Sequence, residues 1–244
     1  MRRTKIVATV GPATTSPESM RQLLAAGTDV VRLNAAHADM QTHSNNARQV
    51  RELAQLLGRT VGVLVDLPGP KIRSGVVLGD AVELATGQEF MLTDRDDGKG
   101  DAVHVATTLP DLAHWARHGD DIYLADGEIV LRVLESVGND VRTEVVRGGM
   151  LRSRKGMHLP RAEGHVEPFT VRDARALEMA IAAKVDFVGL SFVRRAEDVE
   201  RVRSKLPKRG LRPALVPKIE TAMAVDNLAG IIHAADAVMV ARGD

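Results

Sequence analysis

The chain has 244 residues, 44% of them hydrophobic, enough for one large domain or two modest ones with a sizeable core. Its 33 Lys and Arg against 32 Asp and Glu leave a net charge of +1, which excludes a global pull toward nucleic acid or a membrane surface, so an anionic ligand must be held by local groups. The absence of cysteine excludes disulfides, thiolate metal sites and a Cys nucleophile, and fits a reducing, cytoplasmic setting.

The basic start is followed by an apolar run, Ile6 to Val10, too short for a signal sequence, and nothing approaches the roughly 20 apolar residues of a membrane span. Lys5–Val10 reads as a buried strand that ends at Gly11-Pro12. Ser16-Pro17 has the form of an N-cap with Pro at the first helical position, opening a helix to about Ala26. A strand over Asp29–Leu33, a helix from about Ala38 to Leu57 and a strand over Val61–Asp66 follow, an order that argues for parallel βα units.

From about Lys71 to Arg161 the apolar runs shorten and are divided by turns such as Gly79-Asp80, Gly119-Asp120 and Gly138-Asn139, so 71–161 reads as a separate, mainly β module. The βα rhythm then resumes, making 1–70 and 162–244 the two parts of one domain. The expected elements are a helix Val171–Ala183, a strand Asp186–Leu190, a helix Ala196–Leu206, a strand Ala214–Lys218, a helix Met223–Ala234 and a last strand Ala237–Ala241. Six parallel strands result, three on each side of the module, and no 20–50-residue repeat stands out.

Charged and polar residues collect where these strands end. Arg32, Asn34, Asp66, Lys218, Glu220, Arg242 and Asp244 all lie at or just past a predicted strand's C-terminal end, the face on which catalytic groups converge in a βα barrel. Lys218 and Glu220 stand two apart, on one side of an extended segment. Two readings fit them: a simple ion pair, or a carboxylate that joins Asp244 as an oxygen ligand for a hard divalent ion such as Mg²⁺. Arg32, Arg73 and Lys155 are candidates for phosphate contact. His37 shares a loop with Arg32 and Asn34 and is read as structural or catalytic; Gly69-Pro70 reads as a hinge; Phe192 reads as packing.

Seven segments in order resemble the pyruvate kinase family across essentially the whole chain: TKIVATVGPAT at the start, RLN at Arg32–Asn34 with His37, DLPGPKIRSG at Asp66–Gly75, SRKGMHLP at Ser153–Pro160, DFVGLSFVRRAEDV at Asp186–Val199, PKIET at Pro217–Thr221 and MVARGD at Met239–Asp244. The resemblance implies an α/β fold of (β/α)₈ TIM-barrel type, here incomplete with about six barrel strands, and an inserted small β-barrel acting as a lid. It implies phosphoryl transfer from phosphoenolpyruvate to ADP, giving pyruvate and ATP, in glycolysis, and a homo-oligomer. Lys218 and Arg32 would be catalytic. Glu220 and Asp244 would hold Mg²⁺ or Mn²⁺. Lys218, Ala241, Arg242 and Gly243 would bind the substrate, and Arg32, Asn34, His37, Arg73 and Lys155 would lie along the nucleotide.

Departures from the family pattern carry expectations of their own. The loop after the second strand reads Asn34-Ala35-Ala36-His37, so Ala36 lacks the hydroxyl that the family's Ser gives to a monovalent cation. Lys71 stands where K⁺-requiring members carry Glu, and Leu67 where they carry Thr. The cation site that would use Asn34 and Asp66 is therefore expected to be replaced by the Lys71 ammonium, with no need for K⁺. Pro217 replaces a frequent Ser. The family continues past its Arg-Gly-Asp into a helix, two more barrel strands and a C-terminal domain, so this length is expected to be weakly active or inactive alone, with two open sheet edges. Two rival readings are a metal-dependent aldolase or lyase acting through a pyruvate enolate, against which the β module argues, and a non-catalytic relative that binds a phosphometabolite.

Overall fold

The computed structural model describes residues 3–95, 98–162 and 166–241. By internal packing the chain divides into two compact units, Met1–Pro70 with Glu167–Asp244, and Lys71–Val166.

The chain opens with β1 (Val7–Thr9), a 3₁₀ turn, α1 (Pro17–Ala25), β2 (Val30–Asn34), α2 (Met40–Leu56) and β3 (Gly62–Leu67). Local chemistry sets each helix start. Ser16 Oγ accepts from Ser19 N at 3.1 Å with Pro17 in the first turn, and Asp39 Oδ1 accepts from Thr42 N at 2.7 Å. Helix α2 therefore begins at Met40, because Asp39 caps it from an extended backbone and Ala38 lies at φ +59°.

The second unit carries β4 (Ala81–Leu84), β5 (Glu89–Thr93), β6 (His104–Ala106), the single-turn α3 (Leu112–Trp115), β7 (Asp121–Leu124), β8 (Ile129–Val137), β9 (Asp140–Arg147), β10 (Gly149–Arg152) and β11 (Met157–His158). Its ladders form a six-stranded sheet, β11-β7-β8-β9-β5-β6, and a two-stranded ribbon, β10-β4. Leu84 of the ribbon and Leu92, Leu131 and Val145 of the sheet share one core, which Ala162 and Val166 also join, carrying this unit past Arg161.

The remainder returns to the first unit with α4 (Val171–Ala182), β12 (Phe187–Leu190), α5 (Ala196–Arg203), β13 (Ala214–Ile219), α6 (Ala222–Asp226), α7 (Leu228–Ala234) and β14 (Met239–Val240). The first unit's sheet runs β1-β2-β3-β12-β13-β14, all parallel, as in an incomplete βα barrel. Its inner strands β2, β3, β12 and β13 are short and mostly apolar, as parallel strands covered by helices require; Val31, Leu33, Val63, Val65, Val188 and Leu215 are buried in one core with α1, α2, α4 and α5, whereas the edge strands β1 and β14 are largely exposed. The expected continuous helix over Met223–Ala234 is instead two helices broken at Asn227, whose Nδ2 donates to Met223 O at 2.9 Å and to Arg194 O at 3.2 Å. An Asn side chain that bonds nearby carbonyls offers the backbone an alternative to the helix.

One device recurs at the N-terminal face of the sheet. Asp29 Oδ2 accepts from Ile6 N at 2.9 Å, Asp186 Oδ2 from Val63 N at 2.6 Å, and Asp236 Oδ2 from Leu215 N at 2.8 Å. Each aspartate stands just before its own strand, holds the strand before it in the sheet, and pairs with a cation: Lys5, Arg51 and Arg203 respectively. Strand pairs β1–β2, β3–β12 and β13–β14 are thus latched at one end, while the polar site occupies the other.

Candidate active site

The register brings four charged side chains together at the C-terminal ends of the strands. Thr9 of β1 lies beside Arg32 of β2, Asn34 beside Asp66 of β3, and Asp66 beside Gly189 of β12. Arg32 turns its fork onto one oxygen of Asp66, with Nε and Nη2 at 2.8 and 2.5 Å from Oδ2, and its Nη1 donates to Thr9 Oγ1 at 3.1 Å. Lys218 on β13 sets Nζ 3.7 Å from Asp66 Oδ1 and 3.2 Å from Glu220 Oε2. Asp66 is 2% exposed and Lys218 is 7% exposed.

Two cations and two carboxylates in this string sum to zero, which is why so many charges can be buried together. Gly189 makes room for it: a Cβ there would sit 3.0 Å from Asp66 Oδ1. Glu220 Oε1 accepts the main-chain N–H of Phe192 at 2.7 Å. Behind it, Arg194 and Asp198 form a second buried pair, with Arg194 N and Nε 3.0 and 3.3 Å from Asp198 Oδ2.

The loop after β2 holds itself in place. Asn34 Oδ1 accepts from Ala36 N at 3.0 Å, Asn34 O from His37 N at 3.1 Å, and Ala36 O from Arg172 Nη2 at 2.8 Å. His37 is exposed, and its carbonyl takes Nε2 of the buried His43 at 2.5 Å. In the second unit, Arg73 Nη1 donates to Arg154 O at 3.0 Å, Lys155 N donates to Ser74 Oγ at 3.0 Å, and Lys155 itself is exposed. Lys71 belongs to this unit, its Cε near Gly156.

Arg32, Asp66, Lys218 and Glu220 are therefore in one cluster; Asn34, His37 and Ala241 belong to the same unit; Lys71, Arg73 and Lys155 belong to the other. Arg242, Gly243 and Asp244 lie outside the described residues, and with them the expected pairing of Glu220 with Asp244. Among the described residues no three His, Asp or Glu side chains gather into a ready metal site. Sequence reasoning passed over Thr9, Gly189, Arg194 with Asp198, and the Phe192 N–H. Strand-end position and register flag Thr9 and Gly189, whereas a main-chain donor leaves no mark on the sequence.

A parallel βα sheet with its buried charges gathered at the carboxyl ends of the strands defines a protein of the βα-barrel class, here with an incomplete barrel. The family model described as "Pyruvate kinase, barrel domain" matches residues 1–244. Pyruvate kinases from Thermococcus litoralis and Corynebacterium glutamicum are each 42% identical, covering 99% and 100% of this chain and 51% of their own length. That of Thermotoga maritima is 39% identical over all of this chain and 52% of itself. A crystal structure of a pyruvate kinase from Cryptosporidium parvum superposes with a TM-score of 0.89 at 30% identity, over 100% of this chain and 51% of that one. The chain belongs to the pyruvate kinase family, and it spans about half the length of the curated relatives it matches.

Proposed function

We propose that this chain carries the barrel part of a pyruvate kinase active site, which transfers the phosphoryl group of phosphoenolpyruvate to ADP and releases pyruvate and ATP, as in glycolysis. The observation that carries the reading is the buried Lys218–Glu220 pair, joined through Asp66 to Arg32 at the carboxyl ends of β13, β3 and β2. In the transfer, the bond from phosphorus to the enol oxygen breaks, a bond to the terminal oxygen of ADP forms, and the enolate takes a proton at carbon. The Lys218 ammonium, held between two carboxylates, meets the negative charge that develops on the transferred group and on the enolate. On this reading Arg32 and Arg73 would contact phosphates, Asn34, His37 and Lys155 would serve the nucleotide, and Ala241, Arg242 and Gly243 would serve the substrate carboxylate.

Glu220 fits a divalent metal by its chemistry: a buried carboxylate at a strand end offers hard oxygen donors. Asp244 would complete the pair of carboxylates that holds Mg²⁺ or Mn²⁺. When bound, the ion supplies the positive charge that the described cluster, neutral in itself, does not have in excess. Lys71 and Ala36 support a site that works without K⁺. The module at 71–166 would act as a lid, excluding water from the reaction.

The test is a coupled assay for pyruvate formation with Mg²⁺, run on the chain alone and on the chain joined to the C-terminal half of a curated relative. The joined protein is expected to turn over without K⁺, and Lys218→Met to abolish turnover. No phosphoenolpyruvate-dependent ATP formation by the joined protein would overturn the reading. Strong activation by K⁺ would overturn its monovalent-ion part.

A further inference from the structure

We infer that Phe192 is a positioning residue for Glu220, acting through its main-chain N–H and the left-handed backbone that aims it. The inference rests on reading Glu220 as the metal-binding carboxylate.

Phe192 lies at φ +56°. A bulky L-residue rarely adopts this region, and such strain persists only where the surroundings over-determine it. Here every residue of the turn after β12 is tied down. Ser191 Oγ donates to Leu67 O at 2.5 Å; Val193 O accepts from Thr221 Oγ1 at 3.4 Å; Arg194 O accepts from Asn227 Nδ2 at 3.2 Å. Gly69, itself at φ +64°, packs so closely that a Cβ would sit 2.8 Å from Phe192 Cδ2 and 3.0 Å from Ser191 Cβ.

What the strained turn gains is direction. Its N–H points at Glu220 Oε1 from 2.7 Å, while Lys218 Nζ holds Oε2 at 3.2 Å. Lys218 reaches Oε2 from a flexible stem. A second contact from rigid main chain fixes the carboxylate plane, and so fixes where the remaining lone pairs point.

Four variants separate backbone direction from ring packing. Phe192→Leu keeps the left-handed penalty that Phe already carries, Phe192→Val adds that of a β-branched side chain, and Phe192→Gly and Phe192→Asn relieve it. With Mn²⁺ as probe, Gly, Asn and Leu are expected to match or exceed the parent affinity, while Val weakens it about tenfold, the size of effect that a conformational penalty of this kind produces. A ring that only packs predicts a different order, with Gly and Asn worst and Val no worse than they are; that order, or equal losses in all four, overturns the inference. Glu220→Gln is the control for the function itself: unchanged Mn²⁺ affinity in that variant overturns the metal reading. The positioning contact is then read without metal, by a double-mutant cycle of Phe192→Val and Glu220→Met on unfolding. Non-additive effects support the contact, and additive effects overturn it.

Discussion

Asp66 receives Nε and Nη2 of Arg32 on a single oxygen, Oδ2, while its Oδ1 makes no hydrogen bond and lies 3.7 Å from Lys218 Nζ. One carboxylate thus serves two cations from different strands. Asp66→Asn removes the charge and keeps the shape, leaving Lys218 nearly buried with Glu220 as its remaining counter-charge. Breaking a buried pair is expected to cost on the order of 3 kcal/mol, at the low end because Arg32 is partly exposed. Denaturant titration measures it; a loss below 1 kcal/mol would show that water already screens the cluster.

Gly189→Ala tests the same carboxylate from the other side. The added Cβ would meet Asp66 Oδ1 at 3.0 Å in a packed strand, where neither backbone gives easily. A cost of about 1–3 kcal/mol is expected, as for other overpacked cores. A variant as stable as the parent would mean that Asp66 moves aside freely.

Asn227→Ala sets helix propensity against position. Alanine favours helix and removes a break, yet it also deletes the two hydrogen bonds of Asn227 to Met223 O and Arg194 O. The expected net effect is a loss of about 1 kcal/mol, read by thermal unfolding. A gain in stability would show that the break is an accident of sequence rather than a joint.

Acid should weaken the second unit modestly, through three carboxylates. Two N–H groups, of Val103 and His104, hold Asp101 below its ordinary pKa; the Arg161 guanidinium does so for Asp120, and Thr93 followed by Arg95 for Asp140. A lowered carboxyl pKa contributes stability that is fully present above the unfolded value, about 4, and is lost as pH falls through the folded one. The contribution of these three carboxylates should therefore persist from neutrality to about pH 5 and be lost below about pH 4. Trp115, the sole tryptophan, sits in α3 and reports on this unit by fluorescence. Asp120→Asn should flatten the acid limb; an unchanged limb would remove Asp120 from the account.

The strand order and the strand-end charges were legible because a charge that ends an apolar run has few explanations in a core. Lys218 and Glu220 meet as their spacing suggested, since two residues of extended chain return to one side. The partners of Asp66 were not legible, because they come from strands 34 and 152 positions away, Arg32 and Lys218. The backbone of Phe192 was hidden for another reason: only glycine advertises a left-handed turn. The repeated aspartate was hidden by unequal spacing. Asp29, Asp186 and Asp236 each precede a valine by one residue or two, in GTDVVRL, KVDFVGL and AADAVMV, but helices of different length and a whole module separate them.

The latch between Asp186 and Val63 bears on how the large module between β3 and β12 is accommodated. The two strands that flank it are clamped at one end by that aspartate and at the other by Ser191 Oγ on Leu67 O, while Asp173 Oδ1 of α4 takes Gly69 N just past β3. Continuity of the sheet therefore does not run through the intervening polypeptide, and lengthening a loop costs only about 0.6 kcal/mol per doubling. Exchanging residues 71–166 for a relative's module, or for a short linker, is therefore expected to leave the pairing of β3 with β12 intact.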